Sequence, residues 1–242
     1  CLSRPTNPSG NIVTDTEIIE LKKRCKASNI PLIIDLAYGK PFPDVTFVDH
    51  DLLWDENTIL VLSLSKLGLP GVRTGIVIAD KATIKRFSRA TASLSLAPSN
   101  LGPTLCKALI QSGDLLPLIE DTIKPFYESQ LRETLVYLLE QLATAGLNHS
   151  EVELSAPLKI HKPEGAFFLW LWFQNLPITS QELYQRLKAK GLLVLSGHHF
   201  FQPLEDANWR HQHECLRVNF CQPMDKIKQG IDVLIEEVKT LY

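Results

Sequence analysis

The chain has 242 residues, 45% of them apolar and 21% charged, with 25 Lys plus Arg against 27 Asp plus Glu. Such a composition is globular, the length suits one large domain or two ordinary ones with a proper core, and disorder is excluded. The net charge of −2 supplies no field for a nucleic acid or an anionic bilayer, and the longest apolar run, residues 166–173, is far short of the roughly 20 residues that span a membrane.

Five cysteines without a C-x-x-C pair point to free thiols in a reducing, cytoplasmic compartment. The chain opens on Cys1 with neither a basic nor an apolar leader, and Met224 is its only methionine, so it reads as the C-terminal part of a longer protein. Thr14-Asp-Thr-Glu17 is a capping box that opens a helix with Ile18, Ile19, Leu21 and Cys25 on one face, ended by Asn29-Ile30-Pro31. Three short apolar runs follow at 32–34, 59–62 and 75–79, each before a polar or Gly-rich turn. Runs apolar on both faces suit a sheet covered on both sides by helices, and ligands in such sheets lie beyond the carboxyl ends of the strands. Asp35, Ser63-Leu-Ser-Lys66 and Asp80 stand there.

Helices are predicted near 81–96 and 102–111, then a long helical stretch at about 115–145 in which Pro125 implies a kink or a break. A first unit is placed at residues 1–114 and a smaller α/β unit at 115–242. The second unit contains strands at 158–161, 166–173, 192–195 and 215–220 and a helix capped at Thr179-Ser-Gln-Glu182. A last helix starts near Met224, with Ile227, Ile231, Leu234, Ile235 and Val238 at helical spacing.

The chemistry gathers in four places. Lys66 stands in Ser63-Leu-Ser65-Lys66-Leu-Gly-Leu-Pro-Gly-Val-Arg73, where a lone lysine after a strand is ordinarily a solvated surface residue. Two hydroxyls and an arginine can instead hold a phosphate through Ser63 and Arg73 and leave the amine to form an imine. Asp35-Leu-Ala-Tyr38 reads either as a turn-closing acid or as a carboxylate that keeps a pyridine nitrogen protonated, with Tyr38 bonded to the ring's phenolic oxygen. Arg4-Pro-Thr-Asn7-Pro-Ser-Gly10 is a turn signal whose Asn7 can donate a hydrogen bond into a site. Cys215-Leu-Arg217-Val-Asn219-Phe220 alternates, so Arg217 and Asn219 share one face of a strand. That is a half-exposed strand or an Arg fork for a carboxylate.

Together these four motifs, in this order and across essentially the whole chain, resemble the pyridoxal-phosphate-dependent aminotransferases of fold type I. His161-Lys-Pro-Glu-Gly-Ala-Phe-Phe-Leu-Trp-Leu-Trp-Phe173 and Ser196-Gly-His-His-Phe-Phe201 look like the valine-pyruvate branch of that family. The resemblance implies an α/β fold made of part of the large, mostly parallel-sheet domain, residues 1–114, and a smaller C-terminal α/β domain, residues 115–242. It implies pyridoxal 5'-phosphate as cofactor, with Lys66 as Schiff-base lysine and proton shuttle and Asp35 on the pyridine nitrogen. Tyr38 and Asn7 would bind the ring oxygen and Ser63, Ser65 and Arg73 the phosphate, while Arg217, with Asn7, would bind the substrate carboxylate. The expected reaction moves an amino group between an apolar 2-amino acid and a 2-oxo acid such as pyruvate, in a homodimer. One departure concerns Arg73, which follows Lys66 by seven positions where many relatives have eight, so its reach into a phosphate site is left open. The family's other phosphate loop and the aromatic that stacks on the ring belong to an N-terminal half that has no counterpart here.

Three other readings compete. His198, His199, His211, His213 and Cys215 have spacings from which a metal could be bound, although solvated loop histidines are the plainer reading and His198 and His199 can instead lie near the substrate. A non-catalytic, effector-binding domain of a transcription regulator has the same fold. A lyase uses the same cofactor.

Overall fold

The computed structural model describes residues 1–147, 157–201 and 209–242. Two compact units make up the chain: Cys1–Asn7, Asn11–Phe126 and Glu164–Ala166 form the first, and Pro8–Gly10, Tyr127–Pro163 and Phe167–Tyr242 the second.

The first unit contains β1 (Leu2–Ser3), α1 (Asp15–Ala27), β2 (Leu32–Asp35), β3 (Thr58–Ser63) and β4 (Gly75–Ile78). The strands lie in the order β1-β2-β3-β4, with β1, β2 and β3 parallel and β4 antiparallel to β3. Alternation sends Leu32, Ile34, Leu60 and Leu62 into one core with Ile18 and Leu36. The capping box of α1 is complete, since the Thr14 hydroxyl accepts the Glu17 N–H at 3.3 Å and the Glu17 carboxylate accepts the Thr14 N–H at 2.8 Å. Of the predicted apolar face only Ile18 is fully buried, whereas Ile19, about 100° further round the helix, is 58% exposed.

Two further expectations are corrected, one in this unit and one in the helix that leads out of it. The run at 75–79 was expected to be covered on both faces, but β4 is an antiparallel edge strand with Ile76 and Ile78 exposed. The single long helix predicted from residue 115 is three pieces: α4 (Leu115–Leu118), a π-helical turn at Ile119–Ile123 and α5 (Lys124–Thr144). Pro125 lacks an N–H for the carbonyl four residues back, and the ladder widens just where that carbonyl, of Asp121, falls. Between β4 and α4 come α2 (Lys81–Ser95), whose N-cap is Asp80, and α3 (Leu101–Ser112).

In the second unit β5 (Leu158–Ile160), β6 (Phe168–Phe173), β7 (Leu195–Ser196) and β8 (Cys215–Asn219) form an antiparallel sheet in the order β5-β6-β8-β7. The Thr179 hydroxyl caps α6 (Ser180–Ala189), and α7 (Met224–Lys239) buries the five apolar residues its spacing nominated. The strand expected at 192–195 is reduced to Leu195–Ser196. Gly191, at φ 86°, turns the chain out of α6, and the Leu192 N–H still bonds the Leu187 carbonyl at 3.0 Å, so residues before 195 are held by the helix end.

Arg4 is the largest polar group in the first unit's interior, only 2% exposed. Its Nε donates to the Val13 carbonyl at 2.7 Å, one Nη to the Asp51 carbonyl at 2.7 Å and the other to the Asp15 carboxylate. The hydrogen bond from Arg4 holds the Asp15 carboxyl below its ordinary range. Replacing Arg4 by Met takes one donor from the half-buried Asp15 carboxylate and the only side-chain donor from two carbonyls, and is expected to cost about 1–3 kcal/mol, read from urea unfolding. Because the folded Asp15 refuses a proton that the unfolded one accepts below about pH 4, wild-type stability falls as the pH drops through that range. Asp15→Asn is expected to flatten this part of the acid limb, and an unchanged limb in that variant would refute the assignment.

Candidate active site

Because β1, β2 and β3 are parallel, the three segments that leave them emerge at one edge of the sheet. They carry Asn7 after β1, Asp35 and Tyr38 at the end of β2, and Ser63, Ser65 and Lys66 at the end of β3. The antiparallel β4 begins at this same edge, Gly75 standing opposite Ser63. Arg73, two residues before Gly75, is thereby brought back to it. These seven residues therefore lie on one rim, whereas Asp80, expected beside them, follows the antiparallel β4 to the opposite edge of the sheet and caps α2 there.

The local bonds on this rim follow from turn chemistry. The Asp35 carboxylate accepts the Ala37 N–H at 2.9 Å, an Asx turn that fixes the acid just beyond the strand. Ser63 caps a 3-10 turn, Leu64–Leu67, by accepting the Ser65 N–H at 3.2 Å, and Gly68 at φ 94° ends it. The turn aims Lys66 across the sheet edge so that its Nζ lies 5.4 Å over the ring of Tyr38. Amine and phenol thus meet although 28 positions separate them. Arg73 adopts a left-handed conformation at φ 48°, and its Nη1 donates to the Ser65 hydroxyl and the Pro70 carbonyl, each at 3.3 Å. A bulky residue in that region of backbone space is uncommon, and here it lets the short loop return its guanidinium to Ser65.

Two groups that hold this rim in place gave no sequence signal. The Arg4 N–H donates to the Asp35 carbonyl at 2.8 Å, and the Glu164 carboxylate accepts the Ile12 N–H at 2.9 Å. Their partners are far apart in the chain and no local pattern marks them.

In the second unit Arg217 sits in the middle of β8, paired with Trp170 of β6 on one side and Leu195 of β7 on the other. Its Cζ lies 4.8 Å over the ring of Phe168 and 4.8 Å over that of Phe200. The histidines are occupied otherwise than as a ligand set. His198 lies against His199 with ring centres 3.9 Å apart and planes tilted by 38°, and bonds the Ser196 hydroxyl through Nδ1 at 2.7 Å. The Cys215 sulfur is 3.7 Å from His211 Nε2, yet burial, with the Glu214 carboxylate beside it, pushes the thiol up to about 12. Among the described residues no group of three or more His, Cys, Asp or Glu side chains is arranged to hold a metal ion.

The aminotransferase class I and II family model matches residues 1–234. The chain belongs to the class I and II aminotransferases. This aminotransferase chain is 45% identical to the valine-pyruvate aminotransferase of Escherichia coli K12 over 242 residues, which are 100% of the chain and 55% of that protein. It is 26% identical to aromatic-amino-acid aminotransferase 1 of Thermococcus litoralis, covering 96% of the chain and 52% of the relative. The crystal structure of the valine-pyruvate aminotransferase of Salmonella typhimurium LT2 superposes on it with a TM-score of 0.89 at 46% identity, over 100% of this chain and 59% of that one. The chain spans about half the length of the curated relatives it matches. Its architecture is the fold type I arrangement that its motifs implied, with a mostly parallel sheet in the first unit.

Gly39 tests how tightly the rim is built. A Cβ there would stand 2.4 Å from the Arg4 carbonyl oxygen, a backbone atom that cannot swing aside. Gly39→Ala is expected to destabilise the protein by about 1–3 kcal/mol, measured as a lowered urea midpoint, because either the Asp35–Tyr38 turn or the Asn7 loop must move. A midpoint equal to wild type would show that the two segments are loosely joined.

Proposed function

We propose that the protein carrying this chain is a pyridoxal-phosphate-dependent aminotransferase that exchanges an amino group between an apolar 2-amino acid of the valine or alanine type and pyruvate. The observation that carries the reading is the single rim on which Asp35, Tyr38, Ser63, Ser65, Lys66 and Arg73 meet. The donor set fits the cofactor: a carboxylate for a pyridinium nitrogen, a phenol for a ring oxygen, a primary amine for an aldehyde, and two hydroxyls with a guanidinium for a phosphate. Support for valine and pyruvate as substrates comes from the 45% identity along the whole chain to a valine-pyruvate aminotransferase. Five cysteines unpaired by disulfides favour a cytoplasmic enzyme, and the homodimer follows from the family resemblance. No described helix is long and apolar enough to cross a membrane.

When bound, the cofactor supplies an electron sink for the bond broken at the substrate α-carbon. The rest falls to the chain's own groups. Lys66 would hold the cofactor through its amine, and its Nζ, when not so engaged, would take the proton from the substrate α-carbon and later return one. Asp35 keeps the ring nitrogen protonated by a charged hydrogen bond, while Tyr38 and Asn7 bond the ring oxygen. Ser63, Ser65 and Arg73 grip the phosphate, Arg73 through a guanidinium that already donates to the Ser65 hydroxyl. We assign Arg217 of the second unit to the carboxylate common to both substrates, and Asn7 of the first unit to substrate as well as to the ring oxygen.

Borohydride reduction of the holoenzyme followed by peptide mapping is expected to find the pyridoxyl group on Lys66, and finding it on another lysine would overturn the assignment. Asp35→Asn preserves shape but removes the charge, and kcat for alanine formation from valine and pyruvate is expected to fall by roughly 10-fold or more while cofactor is retained. Wild-type turnover in that variant would exclude the role given to Asp35.

A further inference from the structure

The motif Ser196-Gly-His-His-Phe-Phe201 has no part in the chemistry above, yet the second unit builds it against the strand that carries Arg217. Leu195 pairs with Arg217 and Ser196 with Leu216, so β7 delivers a 3-10 turn, Gly197–Phe200, beside β8. Three contacts fix that turn. Gly197 lies so close to Cys215 that a Cβ would stand 2.6 Å from the cysteine Cβ and 2.7 Å from its carbonyl oxygen. Ser196 is 1% exposed, and its hydroxyl is bonded to Ser180 Oγ at 2.8 Å and to His198 Nδ1 at 2.7 Å. Phe200 then packs edge-on against Trp170, with ring centres 5.7 Å apart.

The consequence falls on Arg217. Phe200 from the turn and Phe168 from β6 each present a ring face 4.8 Å from its Cζ. An aromatic face attracts a cation but accepts none of the in-plane hydrogen bonds by which a guanidinium grips a carboxylate. Carbon on these sides also keeps water from screening the charge, which strengthens its pull on an anion. The geometry points to Phe200, with Phe168, as positioning residues that hold and desolvate the Arg217 guanidinium for recognition of the substrate carboxylate, and to the Ser196–Phe201 motif as the device that sets Phe200 in place. This rests on the reading of Arg217 as the carboxylate receptor. The rings touch the arginine, so their effect is on binding of carboxylate substrates and not on proton transfer.

The test compares the holoenzyme with its Phe200→Leu, Phe200→Met, Phe200→Tyr and Arg217→Gln variants, each checked for fold by circular dichroism. Two measurements are made: kinetics with valine and with 2-methylpropylamine, which is valine without its carboxylate, and calorimetric binding of 3-methylbutanoate, which is valine without its amine. Phe200→Leu is expected to raise KM for valine and Kd for 3-methylbutanoate by about 5-fold, with kcat within about 2-fold of wild type, and Phe200→Tyr to restore both. Rates with 2-methylpropylamine should not change. Phe200→Met is read in the same way, so a folding failure of the leucine variant leaves the test intact. Unchanged carboxylate binding in folded Leu and Met variants, or an equal loss with the carboxylate-free amine, would overturn the positioning role. Intact binding of 3-methylbutanoate by Arg217→Gln would instead overturn the reading of Arg217 itself.

Discussion

Parallel pairing of three short strands is the constraint on which the candidate site depends. Leu32, Ile34, Leu60 and Leu62 are buried on one face of β2 and β3, and a shift of register by one residue would turn all of them outward, so the core locks the pairing. Once Asp35 is opposite Val61, the acid at the end of one strand and the serine-lysine turn at the end of the next have a fixed offset. The chemistry of the rim is therefore set by burial of aliphatic side chains that never touch a ligand. The antiparallel β4 extends the same logic, since only a strand running the other way can begin where β3 ends and so return Arg73 to the rim after a short loop.

Much of this was legible in the sequence because it is local. Thr14 with Glu17, and Thr179 ahead of α6, announce helix starts within four residues, and the apolar period of α7 names its own buried face. The nominated site residues of the first unit were readable for a related reason: a polar residue directly after an apolar run stands at a strand end whatever the rest of the chain does. Direction is another matter. The run at 75–78 is as apolar as β2, and nothing in composition says that it pairs antiparallel at an edge. The π-helical turn was half visible, since Pro125 forecast a disturbance but not its form.

What stayed hidden was long-range. Arg4 bonds groups 9, 11 and 47 positions away, and an arginine before a proline in a loop gives no sign that it will be buried. Burial of so strongly solvated a group is tolerable because each donor that leaves water finds an acceptor in the protein. The same side chain fixes Val13, Asp15 and Asp51, while its backbone N–H holds Asp35. A residue with no chemical role thereby ties the start of α1 to the rim, and the cost of desolvating it is offset by the hydrogen bonds it makes to three segments.

The second unit treats a charge differently. Arg4 is surrounded by acceptors and its hydrogen bonds are spent inside the protein, whereas the faces of two phenyl rings lie against Arg217. A guanidinium bound to protein carbonyls and a carboxylate is neutralised in place and serves structure. A ring face set against a guanidinium contributes an attraction of about 0.5–2 kcal/mol per contact without accepting an in-plane hydrogen bond. The contrast between the two arginines lies in the chemistry of the neighbours that the fold sets against them. It also explains why alternation in Cys215–Asn219 was enough to nominate Arg217 but not to reveal its surroundings: the strand pattern gives the face, and the rings arrive from β6 and from the turn after β7.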